Sequence, residues 1–196
     1  MISSREKILK AIKYNQPEFI KLELVKNFVP PFDDVVEKFK EVFTGIGGNL
    51  YEVSSNSELL TIIESNFAEA RRIISCITSV PGTEKNEFDE KNSHGYDDVD
   101  LLIIPSGMAV AENGAVWVTD NEIQVRVLPF ITQHLLVVVN RKNIVATMHD
   151  AYNLIAAEQY GFATFIAGPS RTADIEQSLV LGAHGARTMT VFLMNA

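Results

Sequence analysis

The sequence predicts an α/β domain of three layers around a mostly parallel sheet. Short apolar runs rich in strand formers alternate with segments whose apolar residues recur at helical spacing. That alternation is the pattern of parallel strands joined by crossover helices. Residues 161–194 then read as a complete βαβ unit, and 196 residues are enough for one substantial domain but not for two.

In chain order, Ser3 and Glu6 match a capping box, and Ile8 and Ile12 give the first helix a narrow apolar stripe. Residues 15–31 hold Pro17, Pro30 and Pro31 and read as an irregular arm. Phe19, Ile20, Leu22, Leu24 and Phe28 make the arm too apolar to stay in water, so it should pack on the body or on a partner subunit. The chain thus divides into a helix and arm (1–31) and an α/β domain (32–196). Asp33 should cap a helix carrying Val35, Val36, Phe39, Val42, Phe43 and Ile46, stopped by Gly47-Gly48. A strand at 50–53, a helix with Leu59, Leu60, Ile62 and Ile63, and a strand at 72–78 follow. Residues 79–98 are polar and read as a long surface loop.

Strands at 101–104 and 115–119 bracket a second turn-rich segment. Asp120-Asn121 suits a two-residue hairpin turn, which would pair 116–119 with 123–128. Residues 135–139 form a fully apolar strand, and 143–157 a helix with Ile144, Met148, Tyr152 and Ile155 along one face. In the closing unit, 161–167 reads as a buried strand and Gly168-Pro169-Ser170 as a tight turn. Thr172 would cap a helix from 173 to 185, with Asp174 and Glu176 in its first turn and a stripe of Ile175, Leu179 and Ala183. Residues 188–194 would be the last strand.

Composition narrows the function. A net charge of −8 without a dense Lys/Arg cluster argues against nucleic acid and anionic membrane as partners. A single cysteine, Cys76, excludes a disulfide framework and a cysteine-ligated iron–sulfur cluster within this chain. The charged N-terminus is not a signal peptide, and no apolar run approaches the roughly 20 residues that span a bilayer. A cytoplasmic protein is expected. With no His-x-x-x-His and no paired cysteines, no structural metal is expected either.

Two constellations can carry chemistry. The Gly168 turn would sit at the carboxyl end of a strand and the amino end of a helix, where open α/β sheets bind ligands. Gly168 admits a ligand to the backbone and Arg171 can pair with a carboxylate or phosphate; a tight loop with a solvated arginine is the plain alternative. The second is Ala111-Glu112-Asn113-Gly114. A carboxylate between apolar neighbours at a strand start should be partly desolvated, raising its pKa and its nucleophilicity, unless it is simply a surface turn glutamate. Arg126 can bind a substrate carboxylate, and His134 and His184 are acid/base candidates or hydrogen-bonded structural histidines.

Gly168-Pro169-Ser170-Arg171-Thr172-Ala173-Asp174-Ile175-Glu176, followed by Leu181-Gly182-Ala183-His184-Gly185-Ala186-Arg187, resembles the signature of the LUD-domain, or lactate-utilisation, family. The similarity is greatest to its small C subunit (LutC/YkgG-like). That family usually has Pro where this chain has Ala186. The family also carries an acidic residue, Thr or Asn, and Gly at the position of Glu112-Asn113-Gly114, and an arginine, proline and histidine where Arg126, Pro129 and His134 stand here. The resemblance implies a NagB/RpiA/CoA-transferase-like fold and a subunit that works with two iron–sulfur partner proteins in oxidising L-lactate to pyruvate. It implies that this chain binds no cofactor and that the clusters reside in the partners.

Glu-Asn-Gly also resembles the catalytic motif of family I CoA-transferases, which makes Glu112 a candidate catalytic nucleophile or base. No glycine-rich CoA loop is found near the N-terminus. A third possibility is a small carboxylate-binding module without chemistry. The expected ligand-binding set is Asn113, Gly114, Arg126, Gly168, Ser170, Arg171, Thr172, Asp174 and His184, gathered in one cleft with Glu112 at the carboxyl edge of the sheet.

Overall fold

The computed structural model describes residues 3–21, 32–83, 93–173, 179–182 and 185–195. Its centre is a five-stranded sheet of β1 (Asn49–Val53), β2 (Ile73–Ser75), β3 (Leu101–Ser106), β6 (His134–Asn140) and β11 (Thr188–Met194). They lie in the order β1-β11-β6-β3-β2, and every pairing is parallel. A second sheet, β7-β4-β5-β8, is mixed: β4 (Met108–Val110) runs parallel to β7 (Ile144–Val145), while β5 (Ala115–Thr119) is antiparallel to β4 and to β8 (Ala163–Ile166). The helices are α1 (Ser4–Tyr14), α2 (Val35–Gly45), α3 (Asn56–Asn66), the single turn α4 (Leu128–Ile131) and α5 (Met148–Ile155).

Alternation along the parallel strands sorts their side chains into two cores. Leu101, Ile103, Leu136 and Phe192 face α3 and pack on Val53, Leu59 and Ile63. Leu102, Ile104, Leu135, Val137, Val191 and Leu193 point the other way, onto Phe39 and Phe43 of α2 and onto Val116 and Val118 of the mixed sheet. A smaller core joins Met108, Val110 and Trp117 to Ala151 and Ile155 of α5. The result is a three-layer α/β domain with a mostly parallel central sheet, as the alternation predicts.

Four local expectations are corrected. The closing segment is not a βαβ unit. β8 is half-buried and belongs to the mixed sheet, and β9 (Arg171–Ala173) pairs antiparallel with β10 (Leu179–Leu181) where Thr172 was expected to cap a helix. The Ser170 N–H donates to the Ala186 carbonyl and the Gly182 N–H to the Ser170 carbonyl, so the chain doubles back instead of crossing over. Leu179, which its spacing placed on a helical stripe, lies instead in β10. Residues 174–178, 183 and 184, and so Asp174 and His184, lie outside the described residues.

The hairpin expected between 116–119 and 123–128 does not form either. Glu122 Oε2 accepts the Thr119 N–H (2.7 Å) and also bonds its hydroxyl, and the Ile123 N–H returns to the Thr119 carbonyl. These bonds coil the chain after β5 and bury Ile123 and Val125, leaving the far side of β5 to β8. The helix expected at 143–157 is shorter, because Ile144 and Val145 pair with β4 and a capping box between Thr147 and Asp150 starts α5 at Met148. Asp34, not Asp33, caps α2, accepting from the Val36 and Glu37 N–H groups.

Candidate functional site

A cavity lined by polar side chains lies at the amino edge of the parallel sheet, not at the carboxyl edge where the ligand cleft was expected. β1, β3, β6 and β11 begin at the amino edge, and the cavity, of about 730 Å³, opens between their first residues and the end of α3. Its wall includes Asn49, Asp100, Gln133, His134, Arg187 and Thr188. The register explains the meeting of His134 and Thr188, since they are Cα partners across the β6–β11 ladder, and Leu101 is the partner of His134 on the other side.

His134 Nδ1 and Thr188 Oγ1 lie 2.7 Å apart, in a hydrogen bond that fixes the ring. Phe67 packs against the imidazole with centroids 5.5 Å apart. Burial lowers the His134 pKa from its ordinary value; Asp100 pulls it back up, and Arg187 pushes it down further. Asp100 is held as a carboxylate below the usual aspartate range, first by the Arg72 N–H (3.1 Å) and then by the Arg71 N–H (2.7 Å). Both N–H groups donate to the same oxygen, Oδ2, and Asp100 makes no ion pair with Arg187. The Arg187 guanidinium is exposed and has no carboxylate partner among the described residues.

The two sequence constellations do meet, beside this cavity. Ile46, at the end of α2, is the contact between them. A Cβ on Gly114 would lie 3.2 Å from Ile46 Cδ1, and one on Gly168 3.1 Å from the same atom. Both glycines have positive φ (+69° and +72°), so the turns carrying Glu112-Asn113 and Pro169-Ser170 close on Ile46 from two sides. Arg171 lies against Gly47, where a Cβ would collide with its guanidinium. Gly47 is two residues from Asn49 of the cavity wall, and Ser170 bonds the carbonyl preceding Arg187. The 168–171 turn is therefore a neighbour of the cavity rather than part of its wall.

Other expected site residues fall elsewhere or take another form. Glu112 is exposed, so the desolvation that would have activated it is missing. Its Oε2 accepts the Met148 N–H at 2.8 Å, and it thereby caps the amino end of α5 from another segment. Asn113 Oδ1 accepts the Ala115 N–H at 3.1 Å and shapes the turn. Arg126 is at the far end of β5. It pairs with Asp120 at 2.9 Å and lies over the Phe162 ring at 5.7 Å. Six residue steps separate Gly114 from Asp120, about 20 Å of strand, so Arg126 is not within reach of the Glu112 turn. An open hollow of about 470 Å³ beside Arg126 is lined by Asp120, Gln124, Tyr160 and Gly161.

Arg187, Thr188 and Asp100 were not singled out from sequence. The available signal was that Arg187 closes the Leu181–Arg187 part of the signature, directly before the last strand. Among the described residues there is no group of three metal-ligating side chains, and no helix is long and apolar enough to cross a membrane.

Comparison with known proteins adds the family. The LUD domain profile matches residues 78–194. A lactate utilization protein C from Anoxybacillus flavithermus is 35% identical over 81 residues, covering 41% of this chain and 37% of that protein. One from Bacillus pumilus is 28% identical over 102 residues, covering 49% and 42%. A lactate utilization protein C 1 from Bacillus mycoides is 34% identical over 92 residues, covering 44% and 39%. The matches thus span about two-fifths of the length of these relatives. Among solved structures, a DUF162 family protein from Deinococcus radiodurans aligns over 82% of this chain and 96% of that one, with a TM-score of 0.59 and 21% identity. At that identity the likeness speaks to fold alone.

Proposed function

We propose, from the premise that this chain belongs to the LUD-domain family, that it is a carboxylate-binding subunit of lactate utilisation. The observation that carries this is the exposed Arg187 guanidinium, lacking a carboxylate partner among the described residues, beside His134 and Thr188 at a cavity in an acidic protein. A guanidinium left over beside a hydroxyl and an imidazole suits a small 2-hydroxy or 2-keto acid. Arg187 takes the carboxylate. Thr188, Asn49 and Gln133 offer donors and acceptors to the neighbouring oxygen, and His134, whose pKa burial lowers, can accept or return a proton.

Oxidising L-lactate to pyruvate removes two electrons and two protons, and the electrons need a carrier. The family resemblance implies that the carriers are iron–sulfur partner proteins, and one cysteine cannot supply the ligands of a cluster within this chain. The relatives' names support the pathway, and the chain's share is binding and presentation of the acid. Glu112 as a CoA-accepting nucleophile gains no support from an exposed carboxylate engaged in capping α5.

The test is reconstitution in the chain's own host. A tagged chain should co-purify with iron–sulfur proteins whose visible absorption bleaches when L-lactate is added, and the chain alone should show none. Purification of the chain without such proteins under gentle conditions, together with normal growth on lactate after its deletion, would overturn the assignment.

A further inference from the structure

The amino-edge cavity is larger than a three-carbon acid requires. A hollow of about 150 Å³ holds benzene, and lactate has as many non-hydrogen atoms as benzene. At about 730 Å³ the cavity offers about five times that space. Arg187, His134 and Thr188 line one part of it. Asn49, Tyr51 and Thr190 continue the wall along β1 and β11, and Ser65 and Asn66 close on it from the end of α3.

Thr190 is the unexpected side chain there. It is 2% exposed and lines the cavity, and its hydroxyl has no hydrogen-bond partner among the described residues. Thr188, by contrast, is bonded to His134. Alternation puts residues 188 and 190 on one face of β11, about 6.6 Å apart. Across the ladder Thr190 is the Cα partner of Asn49, whose carboxamide is also without a hydrogen bond among the described residues. Further along β1, Tyr51 accepts the Asn66 side-chain N–H at 3.3 Å and stacks on Phe192 at 5.5 Å. A buried hydroxyl without a partner costs stability, and a bound hydroxyl would remove that cost.

We propose that the cavity takes a polyhydroxy acid of about six carbons, with its carboxylate on Arg187 and its remote hydroxyls on Thr190 and Asn49. The inference rests on the reading of Arg187 as the carboxylate anchor and adds a second subsite to it. The step from Thr188 to Thr190 matches roughly five carbon–carbon bonds of about 1.5 Å laid zigzag. The remote group is a neutral hydroxyl rather than a second anion, because the wall's acids are Asp100 and Glu69 and Arg187 is its one cation among the described residues. An apolar tail would cover the Thr190 hydroxyl with carbon and leave it unpaired.

Calorimetric titration of D-gluconate, L-lactate and hexanoate into the unmodified chain, Thr190→Val and Arg187→Ala is the test. Gluconate should bind at least about tenfold more tightly than lactate or hexanoate, the gain from one or two added hydrogen bonds. Thr190→Val keeps the branching at Cβ, so it should melt at or above the temperature of the unmodified chain. It should weaken gluconate about two- to tenfold and leave lactate as it was, while Arg187→Ala weakens both. Gluconate no tighter than lactate, hexanoate equal to gluconate, or gluconate binding untouched by Thr190→Val overturns the second subsite, and Arg187-dependent lactate binding would then leave the carboxylate anchor standing. Binding of both hydroxy acids that ignores Arg187→Ala overturns the anchor itself, and the proposal with it.

Discussion

Arg126 and Arg187 are both exposed arginines near a hollow, and their surroundings differ in one decisive way. Arg126 is spoken for: Asp120 holds it at 2.9 Å, Phe162 lies under it, and the same carboxylate accepts the Gly161 N–H at 3.2 Å. It ties the end of β5 to the start of β8. Near Arg187 the acid, Asp100, accepts two backbone N–H groups on its Oδ2 and makes no ion pair with Arg187. A cation without a carboxylate partner among the described residues, in a chain with 25 acidic and 17 basic residues, is the basis of the proposed binding place.

The sharpest way to break the amino-edge site is through its frame. Gly114→Ala combines a left-handed φ of +69° with a Cβ only 3.1 Å from the Phe43 Cα, a backbone atom that cannot swing aside. We expect a loss of about 2–4 kcal/mol in chemical denaturation, from strain plus overpacking. A loss below about 1 kcal/mol would mean that the turn and α2 are not locked together as described.

That frame was only partly legible in the sequence. The strands of the parallel sheet were, because Leu101–Ile104 and Leu135–Val139 are apolar on both faces and can only be central. The edge carrying the site was not. Placing Gly168–Arg171 at a carboxyl edge depended on a βαβ unit, and the spacing of Ile175, Leu179 and Ala183 gave no hint that 171–173 and 179–181 pair. The joint closeness of Gly114 and Gly168 to Ile46 is a long-range packing fact, without local signal. Arg126 looked like a ligand residue because its partner, Asp120, was assigned to a hairpin turn that does not form.

A smaller effect separates capping from catalysis at Glu112. Glu112→Gln keeps an acceptor for the Met148 N–H but removes the charge at the amino end of α5, so stability should fall by about 0.3–1 kcal/mol. Borohydride treatment after exposure to short acyl-CoA thioesters should leave the Glu112 peptide unmodified in mass spectrometry. A trapped adduct would restore the transferase alternative.

Smaller still is the pH response of His134. Its folded pKa is lowered, so its share of stability is intact above the ordinary value of 6.5 and is lost as pH falls below that toward the folded value. His134→Gln should flatten the acid side of the stability profile below pH 6.5. An unchanged slope would place the acid sensitivity in other groups.

The most direct measurement is calorimetric titration of pyruvate and L-lactate into the unmodified chain, Arg187→Ala and Arg126→Ala. The unmodified chain should bind at least one acid and take up protons as it does, since a carboxylate beside His134 raises its pKa; affinity should therefore rise as pH falls toward 6. Arg187→Ala should weaken binding by about ten- to a hundredfold, the range for a lost charge-assisted hydrogen bond, while Arg126→Ala binds as the unmodified chain does. Equal affinity in the unmodified and Arg187→Ala proteins, or a loss confined to Arg126→Ala, would contradict the assignment of the site to the amino edge.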